Sequence, residues 1–193
     1  MNSPIYIIEH LEPELFEWCL IEYAHISEIV GKENLWFTNI NGGKDKKKLE
    51  KFGRVYSESV QKLGLNNMCV LDPEAEKTLN SGDSDKIEYY IFGGILGDFP
   101  PRKRTEEELT KFLPNSEKRN IGKEQMSTDN AVYTVKQIVG GKKFEELRFI
   151  DNAYLDLGEF ESVELPYRYN LVGGKPLMSK KILAYLKKNG VFR

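Results

Sequence analysis

Four short, continuously apolar runs separated by helix-like stretches constrain this chain more than anything else in it. Ile5-Tyr6-Ile7-Ile8, Leu35-Trp36-Phe37-Thr38, Met68-Cys69-Val70-Leu71 and Ile87 to Phe92 read as strands covered on both faces, because none alternates apolar with polar residues. A fifth strand is expected over Glu117 to Ile121. Between the first two, Pro13 is expected at a helix N1 position with Glu12 and Glu14 in the first turn. Phe16, Cys19, Leu20, Tyr23, Ile26, Ile29 and Val30 then recur at helical spacing up to Gly31. After Asn41-Gly42-Gly43, Lys44 to Leu63 reads as a helix with Leu49, Phe52, Tyr56 and Val60 inward. Thr105 with Glu108 three residues on looks like a capping box, and that helix ends before Pro114. Ser127 or Thr128 caps a helix from Asp129 to about Val139, stopped by Gly140-Gly141. Strands alternating with helices imply βαβ units and a mostly parallel sheet flanked by helices, an α/β fold.

Beyond Gly141 the pattern changes. Leu147 to Ile150, Tyr154 to Leu157 and Glu164 to Tyr169 are strand-like, and Ser179 to Lys188 is a short amphipathic helix. With 193 residues the expectation is one domain, 1–193, on which about 142–193 packs as an extension. The net charge of −2 gives no bulk attraction to nucleic acid. The basic stretch Lys44 to Arg54 reads as a solvated helix face or a phosphate-facing patch. The opening residues lack a signal-peptide pattern, and no apolar stretch is long enough to span a bilayer. Cys19 and Cys69 lie inside apolar runs and read as buried, reduced thiols, and two histidines cannot build a histidine-rich zinc site. A cytoplasmic, metal-independent protein is expected.

The strand ends carry the functional signal. Tyr89-Tyr90-Ile91-Phe92 runs into Gly93-Gly94-Ile95-Leu96-Gly97-Asp98, and Phe99-Pro100-Pro101-Arg102 follows. Three glycines in five positions permit a sharp bend and close approach of a ligand to backbone. Arg119-Asn120-Ile121-Gly122-Lys123-Glu124-Gln125-Met126-Ser127-Thr128-Asp129 repeats the order of strand, glycine, polar loop and helix start. With Leu71-Asp72-Pro73 these make three candidate walls of one crevice at the carboxyl ends of the strands. Gly93-Gly94-x-x-Gly97 is not a dinucleotide fingerprint, and no Walker-type loop is present, which weakens a kinase, NTPase or dehydrogenase reading.

Phe92 to Arg102, Ile121 to Asp129 and Glu164-Leu165-Pro166-Tyr167-Arg168-Tyr169 together resemble the SPOUT methyltransferases. Tyr6 to His10, the Glu17-Trp18 helix and Leu71-Asp72-Pro73 narrow the resemblance to the yeast-type protein-arginine methyltransferase branch that acts on a ribosomal protein. It spans nearly the whole chain and is poorest over Asn41 to Asn67. The resemblance implies a SPOUT fold with a C-terminal deep trefoil knot, of which composition and periodicity carry no sign. It also implies S-adenosylmethionine as cofactor. The residues that correspond to cofactor loops are Leu71, Asp72 and Pro73; Phe92, Gly93, Gly94, Ile95, Leu96, Gly97 and Asp98; and Arg119, Asn120, Ile121, Gly122, Gln125, Met126 and Thr128. Substituting valine for Gly94 or Gly97 is expected to block cofactor binding with the fold intact.

The implied acceptor is an arginine of a protein, with a ribosomal protein as one candidate. A guanidinium is protonated at neutral pH, so transfer needs carboxylates that orient it and favour loss of its proton. Glu9, Asp98 and Asp129 are the candidates, with Glu161 and Glu164 behind them. Asp129 has a structural alternative in supporting a helix N-terminus, and Glu9 in pairing with Arg119 or Arg168. His10 is a candidate general base or a structural hydrogen-bonding group. An RNA acceptor ranks second and would need Lys44 to Arg54 or Arg102-Lys103-Arg104 as its basic surface. A cofactor- or ribosome-binding module without chemistry ranks third. A monomer is favoured slightly over a homodimer.

Overall fold

The computed structural model describes residues 3–97, 102–158 and 161–189, with the backbone alone over 155–158 and 161–162. Among them, six strands form one parallel sheet: β1 (Ile5–His10), β2 (Leu35–Thr38), β3 (Arg54–Val55), β4 (Met68–Leu71), β5 (Tyr89–Gly94) and β6 (Glu117–Arg119). Their order is β3-β2-β1-β5-β4-β6. The apolar run of β1 is explained by its central place, between β2 and β5.

Side-chain alternation sends Tyr6, Ile8, Cys69, Leu71, Tyr90 and Phe92 to one face of the sheet. That face is covered by α1 (Glu17–Val30) and α4 (Thr128–Val139), through Cys19, Tyr23, Ile26, Val132, Val135 and Ile138. Ile7, Val70 and Ile91 point the other way, onto Val60, Leu109 and Leu113. Both cysteines are free and buried, and desolvation pushes their thiols up to about 12. A long antiparallel hairpin, β7 (Phe149–Gly158) and β8 (Glu161–Val172), carries the short β9 (Lys175–Pro176) and leads into α5 (Lys180–Asn189). Its Ala153, Leu165, Tyr169, Ile182 and Leu186 close over Trp18 of α1. No helix of the described residues is long and apolar enough to cross a membrane.

Several local expectations are corrected. Lys44 to Leu63 is not one helix: α2 spans only Gly43–Leu49, and the chain then pairs with β2 as β3. Gly53 explains the break, since a Cβ there would lie 2.4 Å from the Leu35 carbonyl oxygen. Leu49 and Val60, expected on one helix face, are buried on opposite sides of the sheet. Helix α1 starts at Glu17 rather than Pro13, with the extended Phe16 at its N-cap, and the Glu12 carboxylate binds the Leu96 amide instead of the first turn. Helix α3 (Arg104–Glu108) has Lys103 at its N-cap, so Thr105 lies inside it and Glu108 bonds Arg104 instead of closing a capping box. Strand β5 begins at Tyr89, two residues late, and runs through both glycines to Gly94.

Candidate active site

Because β5, β4 and β6 are neighbours, the three suspect strand ends emerge side by side. They enclose a cavity of about 290 Å³, with Leu71, Phe92, Ile95, Leu96, Ile121, Met126 and Ala131 as its apolar wall. That volume is near the lower end of small-molecule pockets, about 300–1,000 Å³.

Each wall is held by hydrogen bonds that its sequence supplies. After β4, Asp72 accepts from the Glu74 amide at 2.9 Å and from the Thr110 hydroxyl at 2.6 Å, which bends the chain at Pro73. After β6, Asn120 accepts from the Gly122 amide at 3.1 Å and donates to the Ala75 carbonyl at 2.8 Å. Gly122 follows with φ +92°, a conformation that favours glycine. Arg168 of β8 donates its amide to the Gln125 carbonyl at 2.8 Å, tying the hairpin to this wall. After β5, the Leu96 amide donates to Glu12 at 2.9 Å, and the Gly97 carbonyl accepts from the Tyr167 hydroxyl at 3.1 Å. A Cβ on Gly97 would lie 2.4 Å from the Gln125 side-chain nitrogen and 2.6 Å from the Tyr167 ring, so any larger residue there displaces the two side chains where these walls meet.

Leu71, Asp72, Pro73, Phe92, Gly93, Ile95, Leu96, Gly97, Ile121, Gly122, Gln125, Met126 and Thr128 all line the cavity. Three others of the expected set do not. Gly94 faces α1, where a Cβ would come within 2.3 Å of the Tyr23 hydroxyl and 3.1 Å of the Glu9 carbonyl oxygen. Arg119 turns away to Asp83, at 2.8 and 3.1 Å, and to Glu117 at 2.8 Å, pairings that hold its guanidinium above its ordinary pKa. Asn120 contributes by shaping the turn rather than by lining the cavity. Asp98 lies outside the described residues.

The two described catalytic candidates are also off the cavity. Glu9 is buried and accepts from the Thr38 hydroxyl at 2.5 Å and the Val60 amide at 2.9 Å. Its expected partners, Arg119 and Arg168, bind Asp83 and Asp151 instead. Asp129 is buried at the start of α4, 2.6 Å from His25 Nδ1 and 2.6 Å from the Ser127 hydroxyl that donates to it. Beside it, Glu22 of α1 accepts from the Trp18 indole at 2.8 Å and from Thr128. Desolvation, reinforced by the nearby Asp129 charge, pushes Glu22 up to about 8. His10 Nδ1 lies 2.9 Å from the Tyr23 hydroxyl, buried behind the glycine bend.

The cavity rim holds charged residues outside the expected set: Glu74, Arg102, Lys103, Arg104, Glu106, Lys123 and Glu124. Lys103 is paired with Glu74, and Arg104 with Glu12 and Glu108. Glu106 and Glu124 are exposed. The only sequence signal for Glu106 is its place in an expected helix cap, and Glu124 has only its position inside the third loop. An apolar slot with glycine backbone at one end and charges of both signs at the mouth suits a nucleoside with a charged tail.

Residues 5–191 match the family described as SFM1-like protein arginine N-methyltransferases. Protein arginine N-methyltransferase SFM1 of Saccharomyces cerevisiae is 36% identical over 201 residues, which covers 95% of this chain and 94% of the yeast protein. The crystal structure of yeast SFM1 complexed with SAM has a TM-score of 0.91 to this chain at 36% identity, covering 98% of this chain and 92% of that one. Dual-specific Trm10 from Thermococcus kodakaraensis, 19% identical, shares the fold at a TM-score of 0.58 over 74% of this chain and 96% of its own.

Proposed function

The chain belongs to the SFM1-like family of protein arginine N-methyltransferases, and from that premise we propose that it transfers a methyl group from S-adenosylmethionine to an arginine side chain of a protein. The observation that carries this reading is the meeting of three strand ends in one cavity. Leu71, Phe92, Ile121 and Met126 would hold the flat adenine, and the backbone at Gly93 and Gly97 would admit the methionine end. The absence of a side chain at Gly97 fits a wall that a ligand approaches closely.

Bound S-adenosylmethionine supplies an electrophilic methyl group on a sulfonium. The chain has to align the acceptor nitrogen and accommodate the proton it loses. Glu106 and Glu124, exposed at the cavity mouth, are the carboxylates we assign to guanidinium binding. Glu9 and Asp129 belong to the supporting frame on this reading, since their oxygens are engaged by neighbouring groups.

A protein acceptor is favoured over RNA by the charge layout. The lysine-rich α2 lies beside β2 and β3, at the other edge of the sheet from the cavity. At the cavity itself, Lys103 and Arg104 are paired with carboxylates, and the further cations Arg102 and Lys123 share the lining with Asp72, Glu74, Glu106 and Glu124. A ribosomal protein is the acceptor class to try first, from the branch resemblance. Buried free thiols suit a reducing compartment such as the cytoplasm. A monomer is the oligomeric state to test first, from the same branch resemblance.

The test is incubation with S-adenosylmethionine labelled in its methyl group and a cell extract. The expected label resists nuclease, is released by protease, and is recovered as methylarginine after acid hydrolysis. Nuclease-sensitive label would overturn the protein-acceptor reading, and no label in any fraction would overturn the enzymatic one.

A further inference from the structure

The strand ladder that supports β5 ends at Gly94, opposite His10, so the backbone beyond it needs other partners. Besides the Tyr167 hydroxyl on the Gly97 carbonyl, it finds them in one ion pair. Glu12 Oε1 accepts from the Leu96 amide at 2.9 Å and from Arg104 Nη1 at 2.8 Å, and the same Nη1 reaches the Leu96 carbonyl at 3.5 Å. The peptide units on both sides of Leu96 are therefore held, and with them Ile95 and Gly97, which also line the cavity. Arg104 is in turn gripped by Glu108 through Nε at 2.7 Å and Nη2 at 3.2 Å. Glu12 and Arg104 have side-chain exposures of only 10% and 17%.

Such a pair is a poor device for stability alone, because desolvation of two charges offsets most of their attraction. Its geometric effect is clear. It links the segment before α1, the bend after β5 and the start of α3, stretches separated by 84 and 92 positions in the chain. Glutamine at position 12 would replace the charge-assisted bond from the Leu96 amide with a weaker neutral one and lose the charge that orients Arg104. Lysine at position 104 would keep a charge but lose the fork that reaches both carboxylates at once.

We propose that the Glu12–Arg104 pair is the positioning device for the cofactor: it sets the Ile95–Gly97 backbone in the shape that binds S-adenosylmethionine. This rests on the reading that the cavity is the cofactor site. The experiment titrates S-adenosylhomocysteine into the wild-type protein, Glu12→Gln, Arg104→Lys and the double variant by calorimetry. Alongside it, the exchange rate of the Leu96 amide is followed in each. The expected result is binding by wild type, a loss of affinity of about tenfold or more in each single variant, and a double variant no more than about threefold weaker than the weaker single. Leu96 should exchange about tenfold faster or more in both singles, with unfolding midpoints near that of wild type. Absence of binding by wild type would sink the cofactor reading itself. Binding by wild type with single-variant affinities within threefold of it, additive losses, or unchanged Leu96 exchange would overturn the role of the pair. Should Glu12→Gln fail to fold, Arg104→Lys decides the matter by the same two readouts.

Discussion

At the scale of single residues, two glycines three positions apart do opposite jobs. Gly97 lies where the Gln125 and Tyr167 side chains close on the cavity, and Gly94 lies against Tyr23 and the Glu9 carbonyl. Gly97→Val is expected to lower affinity for S-adenosylhomocysteine at least tenfold while moving the unfolding midpoint little. Gly94→Val should cost about 3 kcal/mol or more by overpacking the buried α1 contact. Calorimetric titration and thermal melts of both variants separate the two effects, and equal behaviour in both assays would contradict the assignment. The sequence shows three glycines in five positions but not which way each faces, because strand register decides that. Glu22 offers a second test. Its folded pKa of about 8 lies above the ordinary 4.5, so between these values the folded protein keeps a proton that the unfolded chain has released. Its contribution to stability is therefore fully present below about pH 4.5 and is lost as pH rises toward 8. Denaturant unfolding at a series of pH values should show wild type losing stability relative to Glu22→Gln across that window. A difference that does not vary with pH would contradict it. Asp129 and Tyr169 face Glu22, and Trp18 and Thr128 donate to it.

At the scale of elements, strands are the most legible parts. β2 and β4 have the bounds their apolar runs announce, and β1 runs from Ile5 through Glu9 and His10. The sequence misleads at α2 because Leu49, Phe52, Tyr56 and Val60 happen to fall at helical spacing, while Gly53 is needed beneath the Leu35 carbonyl. The hairpin of β7 and β8 is visible in the sequence only as three fragments. Turn-like and acidic residues interrupt the apolar pattern there, and antiparallel pairing over long range supplies the continuity. What fastens β8 to α4 is a buried amide network with no sequence signature. The Asn170 amide donates to Asn130 Oδ1 at 2.8 Å, the Asn170 side chain donates to the Asn130 carbonyl at 3.0 Å, and Thr134 donates to Asn170 at 3.1 Å. Asn170→Ala strands buried donors and acceptors and should destabilise the protein by about 2–4 kcal/mol. Equilibrium unfolding of that variant checks the magnitude; a change under about 0.5 kcal/mol would mean the network does not fasten the hairpin.

At the scale of the molecule, function depends on the order β5-β4-β6, which makes neighbours of strands that the chain visits at widely separated times. The walls of the cavity are legible in the sequence as three glycine- or proline-marked strand exits. The rim is not, because Glu106 and Glu124 acquire meaning only when α3 and the third loop come together over the cavity. The supporting ion pair of Glu12 and Arg104 leaves no sequence trace for the same reason. Hydrogen exchange across the whole protein, with and without S-adenosylmethionine, tests the cavity most directly. Binding should slow exchange in three separate stretches at once, 71–74, 92–97 and 121–128, and leave the lysine-rich 43–51 unchanged. Slowing confined to one of those stretches, or centred on the far edge of the sheet, would contradict a donor site built from three strand ends.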